Sequence, residues 1–222
     1  MHRPRARNTS AKQPRRWLVV SAWPPELAHL ESALPAALRP RVTLKSVGVG
    51  LVEAAIGASR LIAEHCPDAV LLIGTAGVYP NFSAKLEIGT AIVAGKIVLL
   101  PEILPGHHSF LPAVLPKATS SSAVLVRALK KAVGLPCADV ACPLGITATA
   151  KAAVTAGALS GCALENLEAF AVARAAALAK IPFAAVLGIA NHVGPAGHRE
   201  WQRHAKQAAA AACQAALAVL TK

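Results

Sequence analysis

The sequence has few aromatic residues and few acidic ones. Of its 222 residues only 4% are aromatic and 15% are charged, and 11 Asp and Glu face 23 Lys and Arg. So few aromatics argue against a surface that stacks nucleic-acid bases, and a hydrophobic share of 55% excludes a disordered, highly charged chain. The chain can bury a sizeable core, and its length predicts one domain.

Long uninterrupted hydrophobic runs are also missing. The mean hydropathy of +0.48 is high for a soluble protein. Nevertheless Lys, Arg, Glu, Pro or Gly interrupts each stretch before it reaches the ~20 apolar residues of a membrane span. We therefore expect a soluble protein with no membrane partner.

Cysteine pairs with metal-ligand or redox spacing are absent as well. The five cysteines are widely spaced, and no C-x-x-C motif occurs: Cys66, Cys137, Cys142, Cys162 and Cys213. Such cysteines are typical of a reducing compartment and of small buried side chains. We expect a cytoplasmic protein without a metal ion or another cofactor.

The positive charge is unevenly distributed. Half of the net charge of +12 comes from six Lys and Arg residues before Trp17, with no acid among them. We predict a disordered basic tail over 1–16 and a single domain over 17–222. The tail could be a nucleic-acid arm or a targeting peptide, although an upstream extension or a misassigned start codon is the simpler interpretation. A basic nucleic-acid-binding protein therefore stays as an alternative function.

From Trp17 onward, apolar runs bounded by Gly and Pro alternate with helical patterns. Strands are predicted at 17–21, 42–49, 69–73, 90–94, 144–149 and 183–189. Helices are predicted at 25–34, 52–66, 122–133, 163–179 and 200–220, and a proline-rich loop or lid at 100–119. This alternation predicts an α/β fold with three layers, α/β/α, around a twisted, largely parallel (mixed) central sheet.

Four segments carry polar residues expected at the carboxyl edge of the sheet, where open α/β sheets collect ligands. Three of them follow predicted strands, and the one at 165–168 lies at the start of the predicted helix. The four segments are AWPPE at 22–26, GTAG at 74–77, ENLE at 165–168 and ANHVG at 190–194. In this order they resemble the A-x-x-x-E, G-[ST]-A-G, E-[NM]-M-E and I-S-[DN] segments of the purine nucleoside phosphorylase and nucleosidase superfamily. The resemblance runs from Trp17 to the last helix and implies a nucleoside phosphorylase-like fold.

Within that superfamily the segments are most similar to those of the futalosine hydrolases. The E-N-M-E-G-A-A motif of these enzymes resembles 165–171, and their I-S-N-x-V followed by a Trp resembles 189–201. Leu167 replaces the usual Met, Ala169 replaces the usual Gly, and 195–198 lacks an expected Arg. These departures bear on the substrate more than on the fold.

The resemblance assigns two carboxylates to the chemistry of N-glycosidic bond cleavage. Glu26 would orient water, because a rigid Pro-Pro approach aims it from a strand end, although alone it could be an ordinary first-turn Glu. Glu168 would accept hydrogen bonds from the ribose hydroxyls. Glu165 would support Glu168 from the same helical face, and Leu167 would pack against the sugar. Asn166, within the same segment, is a further candidate for substrate binding.

Asn191 stands where nucleosidases acting on adenine nucleosides typically carry Asp. An amide cannot deliver a proton to the purine N7, but its NH2 can donate to N7 and O6 of a 6-oxopurine. From the sequence alone it could equally cap a turn before Gly194. Further candidates for the pocket lining are Thr75, Gly77, Thr147, Thr149 and His192.

Together these features predict a nucleosidase that hydrolyses futalosine to hypoxanthine and dehypoxanthinyl futalosine, in menaquinone biosynthesis. The alternatives are another purine nucleosidase or a phosphorylase, of the methylthioadenosine/S-adenosylhomocysteine or aminodeoxyfutalosine type. Phosphorolysis is disfavoured because 22–26 and 74–77 contain no Arg to hold phosphate. The resemblance also implies a homo-oligomer, most simply a dimer.

Overall fold

The computed structural model describes residues 16–101 and 112–221, which form eight β-strands and six α-helices. The predicted tail, apart from Arg16, and the central part of the predicted loop at 100–119 lie outside the described residues. The strands are β1 Trp17–Ser21, β2 Val42–Ser46, β3 Ala69–Val78, β4 Ala91–Leu99, β5 Ala118–Ser120, β6 Cys137–Cys142, β7 Leu164–Glu165 and β8 Phe183–His192. The helices are α1 Ala28–Ala33, α2 Leu51–His65, α3 Ala123–Val133, α4 Ala150–Ser160, α5 Ala169–Leu178 and α6 Gly197–Leu220. Short 3-10 helices cover Pro24–Leu27, Ala36–Arg41 and Pro80–Lys85.

All eight strands belong to one mixed sheet. Strands β2, β1, β3 and β8 pair in parallel, as the βαβ pattern predicts. Beyond β8 the sheet continues antiparallel to β4, which pairs with β5 and β6, and β6 pairs with β7. Since β7 returns to β3, five strands close into a ring. The predicted α/β class is correct, but this closed ring differs from the open middle layer of a simple three-layer sandwich.

Apolar residues cover both faces of the parallel strands. In β1, Leu18 and Val20 belong to a cluster that includes residues of α2 and α5, whereas Trp17 and Val19 belong to a cluster with residues of α1, α3 and α6. Strands buried on both faces read as continuous hydrophobic runs, which explains why they were recognisable in the sequence.

Two predicted elements differ from those observed. Segment 144–149 was expected to be a strand, but the strand is β6, and 144–149 forms a loop between β6 and α4. The helix predicted at 163–179 begins only at Ala169, because Leu164 and Glu165 pair with β3 and β6. Glu165 and Glu168 therefore do not share a helical face.

No helix within the described ranges is long and apolar enough to cross a membrane. All five cysteines are free thiols.

Candidate active site

A cavity of about 340 Å³ opens near the carboxyl ends of β1, β3 and β8. It brings together eight of the residues singled out from the sequence: Glu26, Thr75, Gly77, Glu165, Asn166, Leu167, Glu168 and Asn191. They come from four segments far apart in the chain, and they meet because these strands end at a common edge of the sheet.

Glu26 is a buried carboxylate held by three donors. It lies on the 3-10 helix that follows β1 and is only 7% exposed. Its Oε2 accepts from the Ala22 N–H at 3.1 Å, while Oε1 accepts from the Thr75 N–H at 3.1 Å and from the Thr75 hydroxyl at 3.3 Å. Burial and the nearby Glu168 carboxylate raise the pKa of Glu26 to about 7, against the opposing effect of its backbone hydrogen bonds. A carboxyl group with this pKa can both accept and return a proton near neutrality.

Glu168 is the second buried carboxylate and immediately precedes α5. Its Oε1 accepts from the Gly50 N–H at 2.8 Å, and its Oε2 accepts from the Asn166 Nδ2 at 3.1 Å. Gly50 has a φ of 86°, which favours glycine at this position. Burial raises the pKa of Glu168, and these hydrogen bonds oppose the rise. Each oxygen keeps a lone pair, so the carboxylate can bind two neighbouring hydroxyl groups.

Asn166 connects the strand ends to the start of α5. Its Nδ2 also donates to the Thr75 backbone oxygen at 3.0 Å, and its Oδ1 accepts from the N–H groups of Glu168 and Ala169. The side chain thereby satisfies the first N–H groups of the helix and fixes the direction of the Glu168 carboxylate.

Glu165 supports the loop between β6 and α4. Its oxygens accept from the Tyr79 hydroxyl at 2.8 Å, from the Thr147 N–H at 3.0 Å and from the Thr147 hydroxyl at 2.6 Å. Burial and the Glu165 charge raise the pKa of Tyr79, so the phenol stays a donor. This network holds Ile146 of the loop against the cavity.

Asn191 lies at the end of β8 beside Gly77, after a bulge in the pairing of β3 with β8. A Cβ at Gly77 would lie 2.8 Å from Asn191 Nδ2, so a larger residue there would displace the amide. Nδ2 donates to the His192 backbone oxygen at 2.9 Å. Because one N–H is engaged there, a single N–H remains for a ligand, fewer than the two expected from the sequence.

Three other predicted residues lie outside this cavity. Thr147 binds Glu165 and, with Thr149, lines a second cavity of about 710 Å³ beside α4. Thr149 also caps α4 by accepting from the Ala152 N–H at 3.2 Å. The exposed His192 donates its backbone N–H to Glu200, and its ring Nδ1 lies 3.0 Å from the same carboxylate.

Three aromatic side chains without a role predicted from the sequence also line the cavity. Trp23 and Trp201 have ring centres 6.3 Å apart, and His198 stacks on Trp201 at 6.1 Å. Trp201 Nε1 donates to the Thr75 hydroxyl at 3.1 Å. The only sequence signal for Trp201 was its spacing after Asn191, because the other contacts join residues far apart in the chain.

Among the described residues that line the cavity, none is lysine or arginine. In residues 16–101 and 112–221, no group of three or more His, Cys, Asp or Glu could hold a metal ion. The cavity is therefore lined by carboxylates, amides, aromatic rings and small apolar side chains.

Several known proteins are similar to this chain in family or in fold. The family profile of the phosphorylase superfamily matches residues 36–221. A 5′-methylthioadenosine/S-adenosylhomocysteine nucleosidase from Colwellia psychrerythraea, in complex with adenine, has a TM-score of 0.83 at 21% identity, over 94% of this chain and 96% of that one. Futalosine hydrolase of Helicobacter pylori has a TM-score of 0.83 at 13% identity, over 93% and 97% of the two chains. The nucleosidase from Neisseria meningitidis, in complex with methylthio-immucillin-A, has a TM-score of 0.79 at 17% identity, over 92% and 98%.

The TM-scores show that the chain shares the fold of these nucleosidases, and the superfamily match confirms the resemblance noted in the sequence. The chain belongs to the phosphorylase superfamily.

Proposed function

We propose that this protein hydrolyses the N-glycosidic bond of a purine nucleoside, with futalosine as the substrate and hypoxanthine and dehypoxanthinyl futalosine as the products. One observation carries the proposal. Two buried carboxylates, Glu26 and Glu168, share one cavity with the amide of Asn191. Cleavage of this bond needs such a set: a base for water, acceptors for ribose hydroxyls and a donor for the leaving purine.

The reaction passes through a ribose with oxocarbenium character, so positive charge develops between the two carboxylates. Glu168 binds the ribose hydroxyls through its free lone pairs. Glu26 accepts a proton from water as the water oxygen attacks the anomeric carbon. The bond to the purine nitrogen breaks, and its electron pair leaves with the base. Both carboxylates are oriented by hydrogen bonds before substrate arrives, so little reorganisation is needed in the transition state.

Asn191 supports a 6-oxopurine as the leaving group. Its remaining N–H can donate to N7, but the amide cannot protonate that nitrogen. A hypoxanthine anion spreads charge onto its carbonyl oxygen and so leaves more easily than an adenine anion. The lack of an acid at this position therefore slows cleavage of a hypoxanthine nucleoside less than cleavage of an adenine nucleoside.

The aromatic residues support futalosine over smaller nucleosides. Trp23, Trp201 and His198 form one wall of the cavity, and Trp23 is 41% exposed. Futalosine carries a planar aryl ketone on its 5′ side, which can stack on such a wall, whereas a methylthio group covers much less of it.

Hydrolysis is supported over phosphorolysis by the charge of the lining. Phosphate is usually bound by Arg or Lys, and the described residues that line the cavity include neither. A dianion would also be repelled by two adjacent carboxylates.

We also propose a homodimer, because the segments that bring Val49 and Ile146 to the cavity carry several exposed apolar side chains. These lie before and along α2 and on the loop at 144–149, and each is between 60% and 65% exposed: Val49, Val52, Ile56, Leu144 and Ile146. A patch of this kind is typical of an interface between protein chains.

The deciding experiment is an assay of the purified protein against futalosine, aminodeoxyfutalosine, methylthioadenosine and inosine, each with and without phosphate. We expect hypoxanthine release from futalosine at a rate that phosphate does not change. Faster release from an adenine nucleoside would replace the proposed substrate, and a requirement for phosphate would replace hydrolysis with phosphorolysis.

A further inference from the structure

A chain of three side chains joins α6 to the buried carboxylate of Glu26. Trp201 Nε1 lies 3.1 Å from Thr75 Oγ1, and Thr75 Oγ1 lies 3.3 Å from Glu26 Oε1. Trp201 is 126 positions from Thr75, which in turn is 49 positions from Glu26. The chain therefore depends on the docking of α6 against β3.

The chemistry of these groups fixes the direction of each hydrogen bond. The indole N–H of Trp201 can only donate, so the Thr75 oxygen accepts from it. The single hydroxyl hydrogen of Thr75 is then directed to Glu26 Oε1. Without Trp201 the hydroxyl would lose this constraint and could rotate away.

The two oxygens of Glu26 consequently differ in what they can still accept. Oε1 receives two donors, the Thr75 N–H and the Thr75 hydroxyl, which fill its two lone-pair sites. Oε2 accepts one hydrogen bond, from the Ala22 N–H, which leaves a site for a water molecule, while the backbone N–H of Trp23 also favours the charged carboxylate.

We propose that Trp201 is a positioning residue that acts through the Thr75 hydroxyl, and that it leaves Oε2 of Glu26 as the oxygen that takes the proton from water. This inference rests on the proposed role of Glu26 as the base. The basicity of the Glu26 carboxylate would then depend on the position of α6, so Trp201 would do more than line the cavity.

The other groups that face Glu26 act on it independently of this chain. Glu168 repels its negative charge across the cavity, and the Cys213 thiol of α6 donates to the Glu26 backbone oxygen at 3.2 Å. Burial raises the pKa of Cys213 to about 11, so the thiol remains neutral when Glu26 ionises. Neither contact involves the side chain of Thr75 or Trp201.

The test is a direct titration of the Glu26 carboxyl carbon by NMR in protein labelled with ¹³C-glutamate, with the signal assigned by its loss in Glu26→Gln. Thr75→Val keeps the shape of the side chain but removes the hydroxyl, and Trp201→Phe keeps the ring but removes the N–H. We expect the Glu26 pKa to rise by about one unit in Thr75→Val and by about half a unit in Trp201→Phe, because a donor to the charged form is lost or loosened.

Two matched variants separate this role from simple packing. Thr75→Ser retains the hydroxyl, and Trp23→Phe removes an indole N–H from the neighbouring ring, so both should leave the Glu26 pKa unchanged. The inference is overturned if Trp201→Phe titrates like the wild type or if Trp23→Phe shifts the pKa equally. Thermal unfolding of each variant verifies that it is folded.

The titration needs no substrate, so it gives an answer even if the protein cleaves none of the nucleosides tested. If futalosine is cleaved, the acidic limb of the pH profile of kcat/KM should move to higher pH by the same amounts as the NMR titration. A shifted NMR titration together with an unmoved limb would contradict the role of Glu26 and not the hydrogen-bond chain.

Discussion

At the scale of single residues, Glu26 is subject to opposing effects. Burial and Glu168 disfavour its charged form, while three hydrogen-bond donors favour it. The result is a carboxyl group that titrates near neutrality, where proton transfer is most useful for catalysis.

Replacement of Glu26 by Gln removes the base and keeps the size of the side chain. We expect turnover to fall by roughly 10²-fold or more while substrate still binds, because positioning a base contributes that much to proton transfer. Steady-state kinetics with futalosine measure the change. Glu31→Gln, which removes an exposed carboxylate on α1, is the matched control and should keep wild-type turnover. A Glu26→Gln enzyme with near-normal turnover would show that water is activated elsewhere.

Replacement of Asn191 by Asp should change base preference. An ionised Asp would face the His192 carbonyl oxygen and the purine N7 without a proton to offer, whereas a protonated Asp could give one to N7. We expect hypoxanthine nucleosides to lose about 1–3 kcal/mol of transition-state stabilisation, and adenine nucleosides to gain as the pH is lowered.

The measurement is kcat/KM for paired hypoxanthine and adenine nucleosides between pH 5 and 8. Asn81→Asp changes an exposed residue on the 3-10 helix at Pro80–Lys85 and controls for the added charge. An unchanged ratio of the two substrates in Asn191→Asp would remove the amide from base recognition.

The sequence could reveal a site residue when the position of that residue follows from the local sequence pattern, as at a strand end. Glu26 and Asn191 could be located because they lie at the ends of strands that are readable as apolar runs, whereas Glu168 was identified only by the resemblance of its segment. His192 was placed with them, but its ring lies beside Glu200 outside the cavity. The contact of Trp201 with Thr75 depends on the docking of α6, which no local pattern encodes.

At the scale of elements, the buried parallel strands were predictable and the strands that close the ring were not. Strand β6 contains Asp139 among small apolar residues, and β7 has only two residues, so neither forms a recognisable apolar run. Segment 163–179 is rich in alanine and has high helix propensity. Pairing of Leu164 and Glu165 with two other strands overrides this propensity at its start.

The close approach of α6 to β8 gives a prediction at this scale. A Cβ on Gly188 would overlap the backbone of Ala208, which a side-chain rotation cannot relieve. We expect Gly188→Ala to lower the free energy of unfolding by about 3 kcal/mol, because α6 would have to shift. Urea unfolding measures the loss. Gly145→Ala adds the same methyl group where no atom lies within 4 Å, so it should stay close to the wild type.

At the scale of the whole molecule, the exposed apolar side chains on α2, before it and on the loop at 144–149 predict self-association. We expect a dimer in light scattering of the purified protein, and a monomer for Ile56→Asp, because a buried unpaired charge at an interface is costly. Leu178→Asp on α5 places the same charge on a residue that is 76% exposed and does not belong to this set, so it should remain dimeric. A monomeric wild type would refute the proposed dimer.

The buried Glu26 also predicts how the stability of the whole molecule depends on pH. Because the folded pKa is raised from 4.5 to about 7, the folded state holds this proton where the unfolded state has lost it. The resulting stabilisation is complete below pH 4.5, declines as the pH rises through 7, and amounts to about 3 kcal/mol. Glu26→Gln cannot titrate, so its free energy of unfolding relative to the wild type should rise by this amount between pH 4.5 and pH 8. Glu168 contributes a change of the same sign to both proteins, and it largely cancels in the difference. Denaturant unfolding of both proteins at several pH values measures the effect. If the difference between their free energies of unfolding does not change with pH, Glu26 has an ordinary pKa and cannot act as a base that titrates near neutrality.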